Sequence, residues 1–284
     1  MTPLRKRMIH AMRQRGMSIR THQAYLAAVT RLARYFHRSP DKIRVEELQG
    51  FFDHLARDCN LSASSIRLCL NGIRFLYLQV LRWPAYDIEF VIPKLPQRIP
   101  ELLTRGEVQR ILQCCSNPKH RMLLELTYGC GLRVSEVVNL KVRDIDGERC
   151  LLRVVQAKGA KDRLVTLSPS LLSSLRRYWA LCHPDDWLFP SSHEHKTHVS
   201  ASCAQRIYRK AKTRAGIAKS GGIHGLRHAY ATHQLEGGLA IHELQRLLGH
   251  GSLQSTQRYI HWLPDHQRAN RGHVDLIANL GGQS

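Results

Sequence analysis

Apolar side chains recur at three- and four-residue steps through residues 18–81, the period of helices that each bury one face. Tyr25, Leu26, Val29, Leu32, Ala33 and Phe36 form one such stripe, and Leu48, Phe51, Phe52 and Leu55 form a second. A third begins after Ser62, whose hydroxyl suits an N-cap, and continues through Ile66, Leu70, Ile73, Leu76, Tyr77 and Val80. Arg67, Arg74 and Arg82 fall between these apolar positions, so the pattern predicts a small helical bundle with a basic face. The texture breaks in residues 92–100, where Pro93, Pro96 and Pro100 forbid a continuous helix. Thr104-Arg105-Gly106-Glu107 then has the spacing of a capping box. The expected organisation is an N-terminal helical domain over residues 1–91, a linker over 92–103 and a second domain over 104–284.

The second domain is predicted to be helical over residues 170–181, 200–215, 224–236 and 241–248. Residues 150–155 and 162–167 depart from this period. They are short, apolar and rich in β-branched residues, and flank Ala157-Lys158-Gly159-Ala160-Lys161. That pattern predicts an antiparallel hairpin with lysines at its tip. No internal repeat is visible.

With 43% hydrophobic residues the chain can bury a core, and no run approaches 18 apolar residues, so no membrane span is expected. Residues 8–16 lack the apolar centre of a signal peptide, which points to a cytoplasmic protein. The eight cysteines contain no Cys-x-x-Cys pair, and Leu68-Cys69-Leu70 shows the setting of a thiol acting as a small hydrophobe. Charge changes the picture most. The formal net charge is +21; residues 1–100 hold 17 Lys and Arg against 7 Asp and Glu, and the remainder carries a similar surplus. A cationic excess spread through both halves suits a protein that grips a polyanion with its whole body.

Single candidates for chemistry are weak. Arg133 lies in Tyr128-Gly129-Cys130-Gly131-Leu132-Arg133-Val134-Ser135-Glu136, where one helix stops and another starts, a place suited to an anion. Taken alone, the spacing favours an Arg133–Glu136 surface pair. His224 and Arg227, three apart in His224-Gly225-Leu226-Arg227-His228, share a helix face and can converge on one small anion. A zinc site on His224, His228 and His233 is disfavoured, because spacings of four and five cannot put all three on one face. His193-Glu194-His195-Lys196-Thr197-His198 reads as a solvated loop. His250 follows a helix that ends in glycine and can serve as a C-terminal cap; Tyr259, nine residues on, would ordinarily be a core residue.

Taken in order, Gly-Leu-Arg-Val-Ser-Glu at 131–136, a lysine at a hairpin tip, His-Gly-Leu-Arg-His at 224–228, Leu-Gly-His at 248–250 and Tyr259 resemble the tyrosine recombinase (phage integrase) family. Ser18-Ile19-Arg20-Thr21-His22-Gln23-Ala24-Tyr25 resembles the core-DNA-binding domain of Xer and integron-type members. Between Phe189 and His224 there is no room for the extra helical insertion of integron integrases, which favours Xer-like or transposon-borne relatives.

The resemblance implies a mainly α, two-domain DNA clamp, in which an N-terminal helical bundle joins an α-rich catalytic domain carrying a small antiparallel hairpin or sheet. It implies Tyr259 as nucleophile, giving a 3′-phosphotyrosine, with Arg133 and Arg227 holding the non-bridging phosphate oxygens. Lys158 would protonate the leaving 5′-oxygen, with Lys161 in reserve. His224 would assist proton transfer at the tyrosine, His250 would hydrogen-bond the phosphate, and Glu136 would orient Arg133. No cofactor and no metal are expected. The partners implied are double-stranded DNA with inverted-repeat sites and three further copies of the chain, a tetramer on two sites that is monomeric when free. The tail after Pro264 can pack on its own domain or on a neighbour. Two other classes fit parts of the pattern: a catalytically silent DNA-binding protein, and a metal-dependent nuclease built on the histidines.

Overall fold

A computed structural model describes residues 1–59, 61–84, 101–155, 162–192 and 196–262. The chain divides into two compact units, Met1–Arg98 and Ile99–Ser284. Residues 92–100 of the expected linker, the hairpin tip with Lys158 and Lys161, the loop at 193–195 and the tail after Pro264 lie outside the described residues.

The first unit contains α1 (Pro3–Gln14), α2 (Ile19–Phe36), α3 (Val45–Arg57) and α4 (Ala63–Arg74), the last running on as a π-helical segment, Phe75–Val80. Ser18 and Ser62 cap α2 and α4 through hydroxyls that accept from the backbone N–H groups of Thr21 and Ser65. The predicted stripes meet in one core: Leu32, Leu48, Phe51, Leu55, Ile73 and Tyr77 are all fully buried. Tyr77 keeps its hydroxyl satisfied by donating to the Pro40 carbonyl at 2.8 Å. Gly72 makes the α2–α4 crossing close, since a Cβ there would lie 3.0 Å from the Tyr25 Cα. Helix α1, not foreseen in the sequence, adds Met8 and Met12 to a neighbouring cluster with Leu76.

In the second unit α5 (Arg105–Gln113), α6 (Pro118–Gly129) and α7 (Val134–Val138) precede a sheet of β1 (Ile145–Asp146), β2 (Leu151–Val154) and β3 (Arg163–Thr166). Helices α8 (Pro169–Cys182), α9 (Ala201–Arg214), α10 (His224–Glu236), α11 (Ile241–Leu248) and α12 (Gln254–Trp262) follow. The capping box before α5 forms as the sequence predicts: Thr104 Oγ1 accepts from Glu107 N–H, and Glu107 accepts from Thr104 N–H. The hairpin is antiparallel with Val154 opposite Arg163, and β1 adds a third strand of two residues that was not predicted. Alternation sends Leu152, Val154, Arg163 and Val165 inward, so β3 carries a buried arginine into the core face. Helix α6 packs against α8 and α10, and Tyr128 near its C-terminal end reaches His233 on α10.

Candidate active site

The site is assembled around the C-terminus of α11. The last carbonyls of a helix have no intrahelical partner and carry the negative end of its dipole. Here three arginines from three different elements take them: Arg163 Nε donates to Leu247 O at 2.7 Å, Arg227 Nη2 to Leu248 O at 2.7 Å, and Arg133 Nη2 to Gly249 O at 3.3 Å. Gly249 sits in the left-handed region at φ 63°, and the His250 N–H returns to Gln245 O, closing a Schellman cap. That cap turns His250 back into the cluster.

One carboxylate holds the arginines together. Arg163 binds both Glu136 oxygens, at 2.9 and 2.8 Å, and Arg133 Nη1 binds one of them at 2.7 Å. Arg227 Nη1 lies 3.6 Å from Glu136 and donates to Gly131 O at 2.6 Å. The Arg133–Glu136 pair that the spacing allowed is thus present, as one edge of a larger network. Burial opposes ionisation of Glu136, but hydrogen bonds and charge from Arg163, the Arg133 N–H and the Arg227 charge prevail and hold its carboxyl at about 2. Burial, followed by the neighbouring Arg133, lowers Arg227 to about 10, so it remains a cation at neutral pH. Three guanidinium groups against one carboxylate leave the site cationic and ready for an anion.

Tyr259, on α12, is 2% exposed. Its ring lies parallel to His250, with centroids 6.2 Å apart, and edge-on to Trp262 at 5.1 Å. Its hydroxyl is 3.1 Å from His228 Nδ1. Burial pushes the phenol up from its ordinary value, against the pull of Arg227 and Arg258. His224 reaches the tyrosine only through His228, whose ring it meets edge-to-face at 4.5 Å. The structure gives the phenol a hydrogen-bond partner in His228. His233 turns elsewhere, to the Tyr128 hydroxyl at 2.9 Å. Among the described residues no three His, Cys, Asp or Glu side chains gather as metal ligands would. A cleft of about 710 Å³ opens beside Arg133 and Gly249, with Lys141 and Arg143 on its wall.

Of the expected residues, Arg133, Glu136, Arg227, His250 and Tyr259 converge, His224 stands one ring away, and Lys158 lies outside the described residues. Three participants escaped the sequence reading. Arg163 is signalled by alternation: with Val165 and Leu167 inward, residue 163 must also face the core. His228 closes the His-Gly-Leu-Arg-His motif and lies on the first turns of α10 beside Arg227, but the motif gives it no role of its own. Thr256, fully buried and 2.8 Å from His250 Nδ1, has no sequence signal of its own.

The fold matches the crystal structure of XerA recombinase over 99% of each chain, at 26% identity and a TM-score of 0.56. It also matches XerH site-specific recombinase bound to its palindromic difH substrate over 91% of this chain and 80% of that one, at 21% identity and a TM-score of 0.69. Residues 101–266 match the Phage integrase family, and residues 4–85 the phage integrase N-terminal SAM-like domain. The chain belongs to the Phage integrase family and is a tyrosine recombinase, an enzyme that cleaves and rejoins DNA. The putative integrase/recombinase y4qK of Sinorhizobium fredii is 39% identical over 266 residues, covering 92% of this chain and 84% of the relative. Tyrosine recombinase XerA of Thermococcus onnurineus is 36% identical over 246 residues, covering 84% and 85%.

Proposed function

We propose that the chain exchanges strands between two DNA sites through a 3′-phosphotyrosine at Tyr259. The observation that supports this best is the burial of that phenol between His228 and His250, beside arginines that Glu136 pairs but does not neutralise. Arg133 and Arg227 bind the non-bridging oxygens, exchanging helix-end carbonyls for phosphate as charge builds on phosphorus. His224 assists proton transfer at the tyrosine through its neighbour His228, His250 borders the phosphate, and Lys158 protonates the departing 5′-oxygen. Covalent storage of the phosphoester explains why no cofactor is needed for rejoining.

The substrate is double-stranded DNA with inverted-repeat sites, and both units supply cations to it. A tetramer on two sites, assembled from monomers, follows from the need to exchange two duplexes in the cytoplasm. Among the described residues no helix is long and apolar enough to cross a membrane. XerH bound to palindromic difH substrate and the Tn1549 transposon integrase in complex with transposon right end DNA are neighbours of the fold.

The test uses a duplex selected from a random-sequence pool by binding to the Tyr259→Phe chain. Nicked just beyond the cleavage position, it should trap a covalent protein–DNA adduct with the unaltered chain and none with Tyr259→Phe. Adducts in equal yield from both proteins would overturn the reading, as would binding without adducts.

A further inference from the structure

We infer that His228, through Nδ1, is the group that takes the phenolic proton as Tyr259 attacks the phosphate, and that His224 acts on the tyrosine only by positioning the His228 ring. The inference rests on the reading of Tyr259 as nucleophile. It concerns which atom of the protein touches the reacting oxygen.

Three rings surround the phenol, and their hydrogen bonds separate them. His250 has no nitrogen to spare: Nδ1 lies 2.8 Å from Thr256 Oγ1, and Nε2 lies 3.1 Å from Arg227 Nη2. Its ring is also parallel to the tyrosine, presenting its face rather than a lone pair. Trp262 is a donor only. His228 Nδ1, at 3.1 Å, is the acceptor within reach. For the phenol to hand over its proton there, its O–H donates to the lone pair of His228 Nδ1. The inference therefore requires the His228 tautomer with hydrogen on Nε2 and the lone pair of Nδ1 facing Tyr259.

The charges around His228 support the same direction of transfer. Burial first, and then His224 and Arg227 on its own helix, Arg258 on α12 and His250 beyond α11, all disfavour a proton on the ring and lower it to about 4. In the free protein His228 is therefore neutral and open as an acceptor at pH 7. An anionic phosphate in the site, growing more negative as the fifth oxygen adds, supplies the opposite charge that lets the ring hold a proton. In the forward step the Tyr259 O–H bond breaks and its proton passes to His228 Nδ1. The phenolic oxygen forms the new P–O bond, the P–O5′ bond breaks, and the 5′-oxygen leaves with that electron pair and takes a proton from the general acid. Rejoining reverses each transfer.

The experiment measures single-turnover adduct formation by the full chain on the nicked duplex described above, with tyrosine or 2,3-difluorotyrosine at position 259. His228→Asn keeps a hydrogen-bond acceptor near the phenol but cannot take a proton. It should slow adduct formation by roughly 100-fold or more, within the range for loss of a proton-transfer group. The more acidic difluorotyrosine should recover much of that loss while changing the unaltered chain little. His224→Gln should slow the reaction by less, with no selective rescue. A His228→Asn chain that still binds the duplex and reacts within a few-fold of the unaltered one would overturn the inference. So would a difluorotyrosine effect of equal size in both backgrounds, or selective rescue of His224→Gln instead. Failure of the nucleophile reading is distinct, because Tyr259→Phe would then still form adducts. If His228→Asn loses duplex binding through misfolding, 15N spectra of the unaltered chain decide: His228 must show a proton on Nε2 and an unprotonated Nδ1 that shifts in Tyr259→Phe, and the opposite tautomer overturns it.

Discussion

Arg163 and Glu136 form a two-bond ion pair, at 2.9 and 2.8 Å, with both side chains under a tenth exposed. The arginine comes from a strand and the carboxylate from a helix 27 residues earlier in the chain. The same guanidinium reaches the Leu247 carbonyl at the end of α11. One side chain thus ties the hairpin to the carboxylate that orients Arg133 and to the helix end that presents His250. The arrangement explains how residues scattered from position 133 to 259 hold a common geometry before any phosphate arrives.

Arg163→Met should therefore damage the fold and the site together. Breaking one partner of a buried pair typically costs about 3–5 kcal/mol, because the other charge is left desolvated. Glu136 would keep Arg133 and the more distant Arg227, so a loss near about 3 kcal/mol is expected in urea unfolding of the full chain. Adduct formation should fall by a larger factor than for a surface control such as Arg153→Met, whose pair with Asp162 is exposed. Unfolding within about 0.5 kcal/mol of the unaltered chain would refute the bracing role.

Acid should expose Glu136 directly. Its carboxyl is held at about 2 against an ordinary 4.5, so its folded form is the better acid. The stability this contributes is fully present above pH 4.5 and is lost as pH falls through about 2. The difference amounts to something on the order of 3 kcal/mol for so buried a group. Glu136→Gln should lower stability at neutral pH yet flatten the fall between pH 4.5 and 2, measured as urea midpoints across that range. An unchanged slope would show that other carboxylates dominate.

Much of this was legible in the sequence because the helices are amphipathic and well punctuated. The predicted helices at 200–215, 224–236 and 241–248 correspond to Ala201–Arg214, His224–Glu236 and Ile241–Leu248, bounded by Ser200 and by glycines at 237 and 249. Helix α1 was hidden because Met8 and Met12, its buried positions, are diluted by Arg5, Lys6, Arg7 and Arg13. The motifs located Arg133, Arg227, His250 and Tyr259, but not what binds them. The carbonyls of Gly131, Leu247, Leu248 and Gly249 carry no side-chain signal, and which of two histidines meets the phenol depends on how α12 packs on α10. Such contacts are tertiary, and periodicity does not encode them.

Gly131 should be irreplaceable for a packing reason. It has φ +59°, and a Cβ there would come within 2.4 Å of the Tyr230 ring and 3.0 Å of Leu248. A left-handed conformation costs a non-glycine residue roughly 1–2 kcal/mol, and overpacking a filled core about 1–3 kcal/mol more. Gly131→Ala should lose about 3 kcal/mol in urea unfolding and weaken adduct formation too, since its carbonyl receives Arg227 Nη1. Adding Tyr230→Leu should return part of the stability by removing the ring. If the double variant is no better than the single one, the clash with Tyr230 is not the cause.

The tautomer of His250 follows from the same logic of donors. Arg227 Nη2 can only donate, so His250 Nε2 accepts from it, and the ring hydrogen lies on Nδ1, pointing at Thr256 Oγ1. A second proton would have to enter between Nε2 and a guanidinium. Burial, then the charges of Arg227 and Arg133, accordingly lower His250 to about 4 from an ordinary 6.5. The unfolded ring binds a proton more readily than the folded one, so this site's contribution is present above pH 6.5 and declines as pH falls toward 4. In 15N spectra His250 should keep an unprotonated Nε2 down to about pH 4. Thr256→Val, which removes the acceptor at nearly constant volume, should leave the Nδ1 hydrogen unpaired, cost about 1–3 kcal/mol and raise its exchange with solvent. A protonated Nε2 in the free protein at pH 7 would show that Arg227 does not donate to this ring, and would remove the reason for His250's position beside the tyrosine.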